Sequence, residues 1–224
     1  EFEFVFENLL VIMEKAVLIK AVDEILKEKG KRKFPQSIDL AVNLREVDFK
    51  KPENRVNVDV VLPNAPRESK VAVFADGQMA VDAKKVVEKV ISGDEIKAIA
   101  QDRKKQKELL EYTLLASTQL MTVVGKELGQ LLGAKGKLPK PIAPNANIKE
   151  LALRTSKTIN IKTKGKNLPV LHCIVGKENM NAEQIVENIQ AVLDALLKKL
   201  TEQQIDSLYV KLTMGKPFKI RYDI

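Results

Sequence analysis

Val71-Ala72-Val73-Phe74-Ala75 is an unbroken apolar run in a chain most of whose strand-like stretches alternate. Alternation belongs to a strand with one wet face, and a short continuous run to a strand covered on both faces, as in a parallel sheet between helices. Tyr112-Thr113-Leu114-Leu115-Ala116 is a second run of the buried type. Helical patterning lies between and after the two runs. It covers Ala80 to Val90, continues past Gly93-Asp94 through Ile96 and Ile99, then spans Thr118 to Leu132 and Ile148 to Thr155. Strands alternating with helices predict a small three-layer α/β unit of doubly wound, Rossmann-like type. Gly133 to Asn145, rich in Gly, Lys and Pro, reads as loop.

Outward from this centre the rhythm changes on both sides. Upstream, Ser37-Ile38-Asp39-Leu40-Ala41-Val42-Asn43-Leu44 and Val56 to Leu62 alternate apolar and polar residues, as half-exposed antiparallel strands do. Before them, Ala16, Val17, Ile19, Ala21, Val22, Ile25 and Leu26 recur at helical steps, and Lys27-Glu28-Lys29-Gly30 supplies a stop. Downstream, period two returns in Thr158 to Lys162, in Pro169 to Val175 and in Leu208 to Leu212. A long amphipathic helix carries Ile185, Val186, Ile189, Val192, Leu193, Leu196 and Leu197.

The simplest account is an insertion. The predicted fold is mixed α+β and α/β in two domains: an antiparallel-sheet α+β domain from residues 13–65 and 156–224, interrupted by an α/β domain from residues 66–155. Pro63-Asn64-Ala65-Pro66, with two prolines in four residues, reads as a hinge. Residues 1–12, where acid and aromatic alternate ahead of Met13, read as a non-native or atypical leader without the basic start of a signal peptide.

Composition excludes several classes of chemistry. Lys and Arg number 38 against 30 Asp and Glu, so the formal charge of +8 favours polyanionic partners. The apolar runs are too short for a membrane span. Cys173 is the only cysteine and His172 the only histidine, which leaves no disulfide and no zinc set, and suits a reducing compartment. As strand neighbours the two point to opposite faces, and each reads as a buried or half-buried strand residue rather than half of a nucleophile–base pair. Gly125, Gly129, Gly133 and Gly136 lack phosphate-loop spacing, and three of them fall on one helix face, as close packing would ask. No cofactor is implied.

Two stretches suit nucleic acid. Lys31-Arg32-Lys33-Phe34 sets a ring beside three cations, and Thr213-Met214-Gly215 ends the last strand with a hydroxyl, a flexible apolar chain and a residue free to take positive φ or admit close approach. Lys162, Lys164 and Lys166 surround Gly165 and would add phosphate contacts. On these residues alone a basic rim with a core Phe and an ordinary turn is an equal reading. Arg103-Lys104-Lys105-Gln106-Lys107, the densest basic patch, fits a solvated helix or a phosphate contact equally well.

Six landmarks in order carry a specific resemblance: Arg32 to Ser37, Pro52-Glu53-Asn54-Arg55, Val61-Leu62-Pro63, Gly133 to Pro141, Val175-Gly176-Lys177 and Tyr209 to Gly215. Between Met13 and Lys219 the chain resembles archaeal large-subunit ribosomal protein one, the family of the mobile stalk beside the tRNA exit site. The resemblance implies no enzyme. It implies binding of large-subunit ribosomal RNA, help in releasing deacylated exit-site tRNA, and repression of its own mRNA. It also implies a cytoplasmic, ribosomal location, a monomer when free, and a two-strand hinge at Pro63–Pro66 and the return near Thr155–Lys157. Lys33, Phe34 and Ser37 would form one edge of the RNA site, and Thr213, Met214 and Gly215 its centre. Two departures stand out. The family usually has Gly-Pro-Arg-Gly where this chain has Gly133-Ala134-Lys135-Gly136, and often Pro-Ser or Pro-Ala where it has Lys216-Pro217.

Overall fold

The computed structural model describes residues 15–47, 54–67, 69–143, 146–163 and 168–220. It divides into two compact units, one from the described parts of Glu1–Pro66 and Thr158–Ile224, the other from Arg67–Lys157.

In the first unit, helix α1 (residues 15–26) leads through a left-handed Gly30 (φ 76°) to strand β1 (Ser37–Leu44). Strand β2 (Asn57–Val61) follows, and after the second unit come β7 (Thr158–Lys162), β8 (Val170–Lys177), helix α7 (Ala182–Leu197), β9 (Ile205–Leu212) and β10 (Phe218–Ile220). The main sheet runs β10-β9-β1-β8, with its pairings antiparallel, and β2 pairs β7 in a separate ribbon. Period two in β1 does what the pattern predicts: Ile38, Leu40, Val42 and Leu44 are buried and the intervening residues half-exposed. They pack with Leu18, Val22 and Ile25 of α1, Ile185, Ile189 and Val192 of α7, and Leu208 and Val210 of β9. Each such side chain contributes about 1.5–3 kcal/mol through removal of apolar surface from water.

The second unit is β3 (Val71–Phe74), α2 (Gly77–Lys84), β4 (Lys89–Ile91), α3 (Gly93–Gln101), α4 (Arg103–Leu109), β5 (Thr113–Ser117), α5 (Met121–Ala134), β6 (Lys140–Ile142) and α6 (Ile148–Ser156). Its parallel sheet has the order β4-β3-β5-β6. Every residue of β3 is buried, because Val71 and Val73 enter a core with Ala83 and Ile148, while Ala72 and Phe74 enter another with Ile96, Ile99, Val124 and Leu128. The continuous apolar run is thus two alternating faces, both covered.

Three readings need correction here. The helix expected to run to Val90 stops at Lys84, and Lys89–Ile91 is an edge strand: β-branched Val86, Val87, Val90 and Ile91 prefer a pleated surface. The stretch read as loop contains β6, whose Pro141 is tolerated because β6 is the other edge. Gly125, Gly129 and Gly133 are not a packing face. No described atom would lie within 4 Å of a Cβ on any of them, and Val124, Leu128 and Leu132 carry the contact.

Candidate nucleic-acid interface

The turn after β9 is built against the start of β1. Ile38 pairs with Leu212 and Ser37 with Lys177, so Thr213, Ser37 and Lys177 share one end of the sheet. Thr213 donates twice to the Ser37 carbonyl, from its N–H at 3.0 Å and from Oγ1 at 3.1 Å. Met214 N–H donates to Gln36 Oε1 at 3.1 Å, and Gly215 N–H to Leu212 O at 2.9 Å. Internal acceptors therefore hold all three N–H groups, which presets the turn. The Gly215 N–H is thus already committed, and the Thr213 hydroxyl is left as an acceptor for a donor such as a ribose 2′-OH.

Gly215 is not among the positive-φ glycines. What it provides is close approach: a Cβ there would lie 3.0 Å from Leu212 Cβ and 3.2 Å from Glu28 Oε2. Glu28 also faces Lys31, Nζ to Oε1 at 3.5 Å, so the end of α1 and the Lys31–Phe34 bend adjoin the turn. Such an exposed pair is worth little in stability.

Around this preset turn the apolar residues face outward. Met214 is 59% exposed and Phe34 48%, although both are large enough to gain from burial. Lys31, Arg32 and Lys33 are exposed beside Phe34, and Ser37 is half-buried. Phe218, exposed opposite Val210 in β10, is a third apolar residue near this end that the sequence patterning passed over.

Beneath the turn lies a second omission. Gln36 is 3% exposed; its Oε1 receives Met214, its carbonyl receives Glu178 N–H at 3.0 Å, and its Nε2 reaches Glu178 Oε2 at 3.5 Å. The last contact is at the limit of a hydrogen bond, so the backbone bonds do most of the holding. Gln36 and Glu178 are 142 positions apart, and no local pattern links them. The available signal was Gln36 itself, a polar residue immediately before an alternating strand.

Lys162 is elsewhere. It pairs with Asn57, whose carbonyl also accepts from Lys199 beyond the end of α7. That is the Leu44 end of the sheet, separated from the turn by the length of β1, on the order of 25 Å. Lys164 lies outside the described residues. Of the expected hinge residues, Pro63 and Pro66 flank Asn64, which is pinned by buried Asn188: Asn64 N–H donates to Asn188 Oδ1 at 3.0 Å, and Asn188 Nδ2 to Asn64 O at 2.5 Å and Val175 O at 2.7 Å. Thr155 is buried within α6.

Other chemistry finds little to work with. Burial pushes the Cys173 thiol up to about 12, with Asp39 adding to the effect, so it remains protonated and unreactive. His172 is exposed, against the expectation of burial. Desolvation raises the Asp39 carboxyl, with Lys211 and then His172 opposing. A cavity of about 410 Å³ in the second unit, lined by Met79, Asp82, Lys85, Val86 and Ile148, has no glycine loop for phosphate. Among the described residues no His, Cys, Asp and Glu cluster fits a metal, and no helix is long and apolar enough to cross a membrane.

The sequence pattern of the ribosomal protein L1p/L10e family matches residues 26–216. Three relatives are named large ribosomal subunit protein uL1. That of Methanothermococcus thermolithotrophicus is 39% identical, covering 93% of this chain and 99% of its own. The Methanocaldococcus jannaschii protein is 38% identical over 93% and 97%, and the Thermofilum pendens protein 40% over 95% and 99%. These are archaeal proteins of the ribosome's structure rather than enzymes. With three of the landmark stretches, Arg32 to Ser37, Val175 to Lys177 and Tyr209 to Gly215, meeting at one turn and the similarity running nearly end to end, the chain belongs to the ribosomal protein L1p/L10e family.

Proposed function

We propose that this protein binds a looped region of large-subunit ribosomal RNA through the Thr213–Gly215 turn and its Lys31–Ser37 edge. The observation that carries the reading is the outward display of Met214 on a turn whose own N–H groups are internally satisfied, with Phe34 exposed on the adjoining bend. Such a surface is costly to expose unless something covers it. Splayed bases offer apolar faces, and their ribose hydroxyls donate to oxygen acceptors such as Thr213 Oγ1. Lys31, Arg32 and Lys33 supply the salt-sensitive part of the affinity. Lys162 acts as a separate phosphate contact at the far end of β1.

In the same reading the protein builds the mobile stalk that assists exit-site tRNA release, represses translation of its own mRNA through a similar RNA fold, works in the cytoplasm and is a monomer off the ribosome. Bending falls on the short links around Pro66 and Lys157. Asn188 pins Asn64 on one side of them, and Ser69 N–H donates to Ser156 O at 3.1 Å on the other.

The test is a titration at moderate salt against the stalk-base ribosomal RNA fragment and a scrambled RNA of equal length, with Phe34→Ala and Met214→Ala alongside. A preference of roughly a thousand-fold, the low end for specific readers of DNA sequence, should appear and shrink in both variants. Equal affinity for both RNAs would reduce the protein to a non-specific basic nucleic-acid binder.

A further inference from the structure

The second unit holds seventeen Lys and Arg against eleven Asp and Glu, and the excess is concentrated. Helix α4 alone exposes Arg103, Lys104, Lys105 and Lys107. Leu109 is buried and the Gln106 amide donates inward to Ala100 O at 2.6 Å, so the helical period turns Arg103, Lys104 and Lys107 to the opposite, outward side. Two of the nearby acids are engaged, while Glu111 past the end of the helix is exposed. Asp102 accepts from Lys104 N–H at 2.8 Å as the cap, and Glu108 pairs with Lys89 at 2.6 Å. Lys137 Nζ donates to Leu110 O, which ties the Lys135-Gly136-Lys137 turn, left-handed at Gly136, to the end of this helix. Two basic segments almost thirty positions apart thus form one surface.

We propose that α4 with the Lys135–Lys137 turn is a second RNA-contact surface, one that grips the phosphate backbone of a duplex. Cations one helical turn apart, such as Arg103 and Lys107, have Cβ atoms about 5–6 Å apart, close enough to serve neighbouring phosphates. A reader of single strands needs rings on which bases stack, and this surface has none. The unit's two aromatics are Phe74, fully buried, and half-buried Tyr112, whose ring already lies 6.0 Å from Lys70 Nζ and 5.7 Å from Lys89 Nζ. A-form duplexes are held through phosphates and ribose hydroxyls without base readout, which is all these side chains provide. The opposite, α2 and α6 face is a built-in control: its Lys84, Lys85 and Lys149 are also exposed, but Lys85 is paired with Asp82 at 3.4 Å.

The experiment uses the full chain and a blunt RNA duplex of about 20 base pairs, enough to span two minor grooves. The variant R103Q/K104Q/K107Q is compared with K84Q/K85Q/K149Q and M214A, each checked for an unchanged melt. The expected result is a loss of roughly ten-fold or more for the α4 variant alone, with the dependence of log K on log salt shallower by about 2 to 3. The M214A arm separates this surface from the loop-reading turn: duplex binding should survive there even if the loop reading fails. Equal losses in both triple variants would show that net charge alone matters and overturn the proposal. So would no loss in either, or tighter binding to phosphatidylserine vesicles than to the duplex.

Discussion

The turn at Thr213–Gly215 and the outer face of α4 are both exposed and both next to lysines, yet they are built on opposite principles. The turn sits on a sheet end where Ser37, Gln36 and Leu212 hold its donors, and it shows Met214 and Phe34 to solvent. The α4 face shows charge with no ring or preset acceptor. The difference teaches what a basic residue near a surface means. Beside an exposed apolar group on a rigid turn it supplements shape recognition. On a ringless helix it supplies affinity for phosphates and little discrimination.

The comparison can be pressed hardest through the cores. Phe74→Ala should cost about 3–5 kcal/mol in the second unit by opening a cavity between β3 and its helices. Chemical denaturation with a probe in each unit should show that loss, while loop-RNA affinity of the folded protein is retained. A matching fall in loop affinity would mean the turn depends on the core of the second unit. The next effect is smaller and sits under the turn. Gln36→Leu leaves Met214 N–H without its acceptor and removes the Glu178 amide contact, at about 1–3 kcal/mol. Loop affinity should drop several-fold with duplex affinity unchanged; unchanged loop affinity would show that the turn keeps its shape without Gln36.

The smallest expected effect is electrostatic. The folded-state pKa of Asp39 is raised, mainly by desolvation, so ionising it opposes folding as pH rises through that pKa. Asp39→Asn should therefore melt slightly higher than the parent at neutral pH, with the gap closing as pH falls through the carboxylate range. A variant that melts lower at neutral pH would mean that the attraction of Lys211 outweighs burial.

Much of this was readable beforehand, for reasons visible in particular elements. Strands β1 and β7 match their predicted bounds because one wet face enforces strict alternation. The helix carrying Ile185 to Leu196 is just as plain. Strands β4, β6 and β10 were missed because each has only three residues, too few for a period to appear. Within the site, Thr213, Met214 and the Lys31–Phe34 cluster were legible as residue types set off from their surroundings. Their assignment to one surface with Lys162 was not, since basic residues look alike until the sheet assigns them to an end.

By itself, then, the sequence determined the longer strands and most of the helices, where apolar rhythm changes from alternating to continuous, and the family to which the ordered landmarks belong. These properties are local, or repeat at short period. Tertiary structure alone decided that Gln36 and Glu178 meet under Met214, that Gly215 serves close approach rather than a left-handed turn, that Lys162 lies a strand's length away, and that Lys137 joins α4. Each of these depends on a pairing register or a crossover between residues far apart in the chain. Such pairings are set by how two apolar faces pack together, and neither face carries that information alone.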